Sequence, residues 1–223
     1  MVDLDPDTSR TRVAVLVSGR GSNLEALIQA GEKPDASFTI ALVIANRPGA
    51  GGLDVAAAAG IPSLVVDHKT YDGREGFERA LDRKLDDGDI RLVCLAGFMR
   101  VLSSWFALRW QDRLLNIRPS LLPACKGLNT HARALEAGVR VHGCTVHLVR
   151  PALDDGPILV QGTVPVLQDD TEEKLAARVL EVEHHCYPLA LELVASGQVR
   201  LVNGKVMVEG ARTLTVGWTC PKL

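Results

Sequence analysis

Residues Arg12-Val13-Ala14-Val15-Leu16-Val17-Ser18-Gly19-Arg20-Gly21-Ser22-Asn23-Leu24 decide the fold class. From Val13 to Val17 every side chain is apolar, the pattern of a strand buried on both faces. Glycines then open a turn, and the spacing of Leu24, Leu27 and Ile28 starts a helix. A strand, a glycine loop and a helix in succession open a parallel α/β unit. Such a loop aims backbone N–H groups and the positive helix end at an anion, and Ser22 and Asn23 serve there as caps or direct ligands. A dinucleotide fingerprint wants a third glycine where Leu24 stands and an acidic residue where Asn46 stands; a Walker loop wants Gly-Lys-Ser/Thr. The loop therefore favours a monophosphate over NAD or ATP.

The same rhythm continues outward. Ile40 to Ala45 reads as a second strand, and an alanine-rich helix, Val55 to Ala59, follows the glycines at 49, 51 and 52. Ser63 to Val66 is a third short strand. Residues 74–87 form a helix with Phe77, Leu81 and Leu85 inward, and Ile90 to Leu95 is a fourth strand. Leu114 to Ile117 is another, delivering Asn116 and Arg118 to a strand end that Pro119 and Pro123 forbid from continuing. Polar groups at the carboxyl end of such a strand lie where α/β sheets bind ligands. A short helix spans 130–137. Residues 143–149 and 157–166 read as antiparallel neighbours, so the sheet is mixed but mostly parallel, with helices on both faces in a doubly wound, Rossmann-like arrangement. Thr171 opens a long helix, kinked at Pro188 and running to about Ser196. Asn203-Gly204 makes a hairpin of the flanking runs Val199 to Val202 and Lys205 to Val208.

Composition narrows the function. The formal net charge is −2, which gives no electrostatic footprint for nucleic acid or an anionic membrane. The 5 cysteines (Cys94, Cys125, Cys144, Cys186, Cys220) are scattered without CxxC spacing, which suits reduced thiols in a cytoplasm and predicts no metal site. The partners expected are small molecules. The acidic start of the chain is neither a signal nor a transit peptide and is expected to be a disordered leader.

Several segments in order carry a resemblance: Ser18 to Leu24, Leu95-Ala96-Gly97-Phe98-Met99-Arg100, Leu115-Asn116-Ile117-Arg118-Pro119-Ser120-Leu121-Leu122-Pro123 and Leu153-Asp154-Asp155-Gly156-Pro157-Ile158. Together they resemble the folate-dependent phosphoribosylglycinamide (GAR) formyltransferases of purine synthesis, over roughly residues 12–200. The resemblance implies attack of the GAR amine on the formyl carbon of 10-formyltetrahydrofolate, the cosubstrate, through a tetrahedral oxyanion. It implies that Gly21, Ser22 and Asn23 hold the ribonucleotide phosphate and that Glu183 recognises the glycinamide. Asn116 would donate to the oxyanion, and Asp154 would tune a proton shuttle. Arg74, Met99, Arg100, Val101 and Leu102, with Asn116, would bind the folate. With the acidic leader taken as 1–11, it implies a single formyltransferase domain at 12–202, with a phosphate-binding first half and a folate-binding, catalytic second half. A hairpin and tail at 203–223 would follow, in a monomer or homodimer.

The departure is at Arg118. The family motif reads Asn-Ile-His-Pro, and here it reads Asn116-Ile117-Arg118-Pro119. Cys125 stands where an aromatic is usual, and Asn129-Thr130-His131 where His-Thr-His is common. Histidine gives and takes a proton near neutrality, whereas arginine stays charged. Arg118 can donate to an oxyanion or pair with Asp154, but it cannot shuttle. His131, just past the strand end, and His147 are the candidates to substitute. The alternative is a catalytically silent homologue that binds phosphoribosyl or folate ligands as a regulatory module.

Overall fold

The computed structural model describes residues 10–211 and residue 220. Strands β1 (Thr11–Val17), β2 (Phe38–Ala45), β3 (Ser63–Val65), β4 (Leu92–Ala96) and β5 (Leu114–Arg118) are paired in parallel. β6 (Val141–Leu148) pairs antiparallel with β5, and β7 (Ile158–Pro165) antiparallel with β6. They form one 7-stranded sheet in the order β3-β2-β1-β4-β5-β6-β7. The helices are α1 (Ser22–Gly31), α2 (Gly51–Ala58), α3 (Gly73–Asp87), α4 (Ser104–Arg109), α5 (Thr130–Glu136) and α6 (Glu172–Ala195). A separate hairpin pairs β8 (Val199–Val202) with β9 (Lys205–Val208).

The alternation of β1 explains the layers. Side chains of successive residues point to opposite faces of a sheet. Val13, Val15 and Val17 join Leu24 and Leu27 of α1 and Val179, Tyr187 and Leu191 of α6 in one core. Ala14 and Leu16 join Phe77, Leu81 and Leu85 of α3, with Phe106 and Trp110, in the other. Each fully buried Leu or Phe stabilises by roughly 1.5–3 kcal/mol, so these cores hold the scaffold. From β1 the chain winds outward through β2 and β3, then returns to lay β4 on the other side of β1. This reversal opens a crevice between the carboxyl ends of β1 and β4, the usual ligand position in such sheets.

The mixed, mostly parallel sheet and the hairpin agree with the sequence reading, and several boundaries move. Residues 10 and 11 belong to the folded domain: Thr11 is in β1, and Arg10 donates from Nη1 to Gly31 O at 2.8 Å and from Nη2 to Lys33 O at 2.9 Å. The rest of the expected leader, and most of the tail after 211, lie outside the described residues. A boundary at 203 falls inside the hairpin turn, because β8 begins at Val199. The fourth strand is shifted to Leu92–Ala96, since Ile90 is spent closing α3 through its N–H to Leu85 O. Pro188 does not divide α6, which is one helix of 24 residues. Burial of Cys186, Tyr187, Ala190 and Leu191 on both sides of the proline holds the helix through it. The 6-residue α4 was not expected; it is too short for periodicity to report, and it is set by Ser103 Oγ accepting from Phe106 N.

Candidate active site

The loop after β1 is shaped by glycine. Gly21 caps α1 with φ 92°, and a Cβ there would lie 2.8 Å from Gly52 Cα at the start of α2. No side chain caps this helix. Among the described residues, no hydrogen bond reaches the N–H groups of Ser22, Asn23 or Leu24. The first turn of α1 therefore presents unpaired donors with the positive end of the helix behind them. The Asn23 side chain is turned elsewhere, its Nδ2 donating to Glu183 Oε2 at 2.7 Å. Burial pushes the Glu183 carboxyl up, opposed by the Asn23 bond and the charge of Arg118.

At the end of β4 the chain leaves the sheet in an extended strap, residues 97–103. Met99 N donates to Ser18 Oγ at 2.8 Å, which ties the strap to the loop after β1. Met99 and Val101 are exposed at 74% and 62%, so the strap turns apolar side chains to solvent beside the crevice.

β5 brings Asn116 and Arg118 to its carboxyl end on one side of the strand, because they are two residues apart. Antiparallel register places His147 opposite Asn116. His147 Nδ1 lies 3.1 Å from Leu148 O, so that nitrogen carries the proton and donates. Its Nε2 then accepts from Asn116 Nδ2 at 3.4 Å, which fixes the amide. Burial pushes His147 below the usual imidazole range, and both of its nitrogens are engaged. Tyr187 of α6 locks the floor, its hydroxyl lying 3.0 Å from Leu95 O and 3.2 Å from Leu115 O.

Arg118 and Asp154 meet. Arg118 Nε is 3.3 Å from Asp154 Oδ2, and the Asp154 side chain is only 3% exposed. Nε is buried without a hydrogen-bond partner, so this contact is one of charge rather than an aimed N–H. Arg118 Nη2 donates to Gly127 O, and Gly127 N donates to Asp154 Oδ2 at 3.1 Å. The loop from Pro119 to Asn129 is thus held at Gly127 by both partners of the pair. Lys126 Nζ to Asp155 Oδ1, 2.8 Å, adds an exposed tie. Asp154 takes φ 51°, a conformation uncommon for a residue with a side chain. Gly156 follows because a Cβ there would sit on Leu148 O.

These elements surround a cleft of about 650 Å³. Asn23, Met99, Asn116, Arg118 and Glu183 line it together. Gly21 and Ser22 adjoin at the start of α1, and Asp154 lies behind Arg118. Arg100, Val101 and Leu102 are outside the lining, as is Arg74, which is exposed in the first turn of α3. The sequence reading missed Arg20 and the face of α6 formed by Glu173, Ala177 and Leu180. The latter had a signal, since 173, 177, 180 and the predicted Glu183 follow helical spacing. His131 lies on α5 and lines the cleft, with burial pushing it below the usual imidazole range; its Nδ1 has no partner. A larger hollow of about 740 Å³ between α1 and α6 shares only Ser22 with this chemistry. Among the described residues, no group of three or more His, Cys, Asp or Glu is placed to hold a metal, and no helix is long and apolar enough to cross a membrane.

Comparison with known proteins places this geometry. The Formyl transferase family matches residues 11–191. The chain is 52% identical over 194 residues to the trifunctional purine biosynthetic protein adenosine-3 of Gallus gallus; this covers 87% of the chain but only 19% of that protein. It is 40% identical to the phosphoribosylglycinamide formyltransferase of Escherichia coli, with 92% of the chain and 97% of that protein covered. The crystal structure of glycinamide ribonucleotide transformylase 1 from Symbiobacterium toebii superposes with a TM-score of 0.87 at 42% identity, covering 89% of this chain and 94% of that one. Matched from its first strand through most of α6, and sharing both sequence and fold with these proteins, the chain belongs to the formyl transferase family and is a homologue of the phosphoribosylglycinamide formyltransferases.

Proposed function

We propose that the chain transfers the formyl group of 10-formyltetrahydrofolate to the amine of GAR, and does so slowly because Arg118 replaces a proton shuttle. The observation that carries this is the convergence in one cleft of an anion-ready helix start, the Glu183 carboxyl and the fixed amide of Asn116. The ribonucleotide phosphate takes the free N–H groups at Gly21 to Asn23, with the Asn23 side chain holding Glu183 towards the glycinamide. The folate enters the cleft at Met99 and extends out of it along Arg100 to Leu102, where Arg74 would reach the part that projects from the cleft. The GAR nitrogen bonds to the formyl carbon, and the carbonyl oxygen becomes an oxyanion that Asn116 Nδ2 and the Arg118 charge stabilise. The bond from carbon to the folate nitrogen then breaks, and a proton moves from the amine to that nitrogen.

The last step is the weak one. Arg118 cannot take a proton. Asp154 faces it and Gly127 N, and His147 has both nitrogens engaged. The proton is left to His131, which lines the cleft with its Nδ1 unpartnered, to water or to direct transfer. The scattered cysteines support a cytoplasmic setting, and a small-molecule site formed within one chain is compatible with a monomer or homodimer.

The test is formyl transfer by the chain beside Arg118→His. A general acid–base is worth ~10²–10⁴ in rate, so the variant should gain at least tenfold. Equal rates would place the shuttle elsewhere. Tight binding of GAR and 10-formyltetrahydrofolate with no turnover in either form would favour the silent binding module, a reading that the Arg118–Asp154 contact also supports.

A further inference from the structure

The strap after β4 is held at both ends by buried side chains. Its entry is fixed by Ser18, 4% exposed, whose Oγ accepts from Met99 N at 2.8 Å. Its exit is fixed by Glu78 of α3, which is 0% exposed. Glu78 Oε1 accepts from Ser103 N at 2.6 Å, and Oε2 accepts from Ser103 Oγ. Between these anchors, no hydrogen bond among the described residues reaches the N–H of Arg100, Val101 or Leu102. The segment's hydrogen bonds are therefore made only at its ends and its own backbone donors stay free, while Leu102, next to the exit, also packs on the core. α3 adds a further contact, since Phe77, one residue before Glu78, stacks on Phe98 with centroids 6.5 Å apart and planes at 13°.

A fully buried carboxylate is a costly way to join two helices. An apolar side chain would seal α3 against α4 with no desolvation penalty. What a carboxylate adds is direction: two bonds to one residue fix both the place and the orientation of Ser103. Ser103 Oγ also accepts from Phe106 N, so the residue caps α4 whichever partner holds its backbone. The effect of Glu78 is thus felt on the other side of Ser103, along Leu102, Val101 and Arg100.

We infer that Glu78 is a positioning residue for folate recognition, acting through Ser103 to hold the exit of the 97–103 strap while Ser18 holds its entry. This rests on the proposed reading of Met99 to Leu102 as the folate segment. It also predicts selectivity: loss of Glu78 loosens the folate half of the cleft and leaves the helix start at Gly21 to Asn23 untouched.

The experiment measures binding of 10-formyltetrahydrofolate and of GAR separately by calorimetry, in the full chain, with thermal unfolding as a check on folding. Glu78→Ala should weaken 10-formyltetrahydrofolate at least tenfold and GAR less than twofold. Glu78→Gln, which can accept from Ser103 N and donate to Ser103 Oγ, should recover most of the loss. Should Glu78→Ala fail to fold, Ser103→Ala removes the hydroxyl bond to Glu78 together with the α4 cap to Phe106 N, keeps the backbone bond from Ser103 N, and should weaken 10-formyltetrahydrofolate severalfold, again without changing GAR. Val101→Asp tests the underlying reading, because it alters the strap itself and neither anchor. If Val101→Asp weakens folate binding while the Glu78 and Ser103 variants do not, the anchor role is overturned and the folate reading stands. If Val101→Asp leaves folate binding unchanged, both fall. Equal weakening of GAR and folate by the Glu78 variants would reduce Glu78 to a general structural role and overturn the inference.

Discussion

The two halves of the cleft are built by different means. At the end of β1 the shaping is done by backbone: a left-handed Gly21, the close approach of Gly52, and a helix start whose N–H groups point outward. At the end of β5 it is done by side chains from distant segments: Asn116 against His147, Arg118 against Asp154, and Gly127 between them. The first half rests on a backbone path that the glycines allow. The second half changes its chemistry with a single side chain, and here that change is Arg118. On the proposed reading, affinity for a phosphate and competence in proton transfer would be separable in this fold.

The widest separation should come from Arg118→His, which is expected to raise formyl transfer at least tenfold and leave GAR affinity unchanged. A large change in GAR affinity would mean that the halves are coupled, and would break the comparison. Next is Asn116→Ala, best read in the Arg118→His background. Removing one oxyanion donor costs ~10²-fold in kcat, with little change in the binding of GAR. An equal loss appearing in KM instead would make Asn116 a ground-state contact.

Gly21→Ala should act on the other half. Its φ of 92° and the 2.8 Å approach to Gly52 Cα leave no room for a methyl group. The expected outcome is a stability loss of about 1–3 kcal/mol by denaturant unfolding, with GAR binding weakened more than folate binding. Unchanged GAR affinity would remove the phosphate from this loop.

The smallest effect concerns pH. The Glu183 carboxyl is raised by burial above its ordinary 4.5, so the folded state holds its proton more tightly than the unfolded state. The stability from this group is present below the ordinary carboxylate value and is lost as pH rises through the raised one. Wild type should therefore lose Tm relative to Glu183→Gln across that window, and a flat difference would show that Asn23 and Arg118 offset the burial.

Much of the scaffold was legible in the chain because it follows local rules. Val13 to Val17 is apolar without interruption, so it had to be a strand covered on both faces, and the glycines after it left one reading for the turn. Asn203-Gly204 signalled the hairpin for the same reason. α4 and the integrity of α6 through Pro188 were not legible. The first is a single short turn set by its Ser103 cap, too brief for periodicity to report, and the second is held by packing on β6 and β7 that outweighs one lost backbone bond.

The site divides along the same line. The order of residues was enough to say which groups reach the sheet edge, because strand ends and helix starts are local features. It was also enough to say that Arg118 cannot carry a proton, because that is a property of the side chain. Folding in three dimensions was needed to bring Arg118 to Asp154, to commit His147 to Asn116, and to anchor the strap on Glu78. Each of these depends on strand register or helix packing between residues far apart in the chain, and no local pattern encodes such a distance.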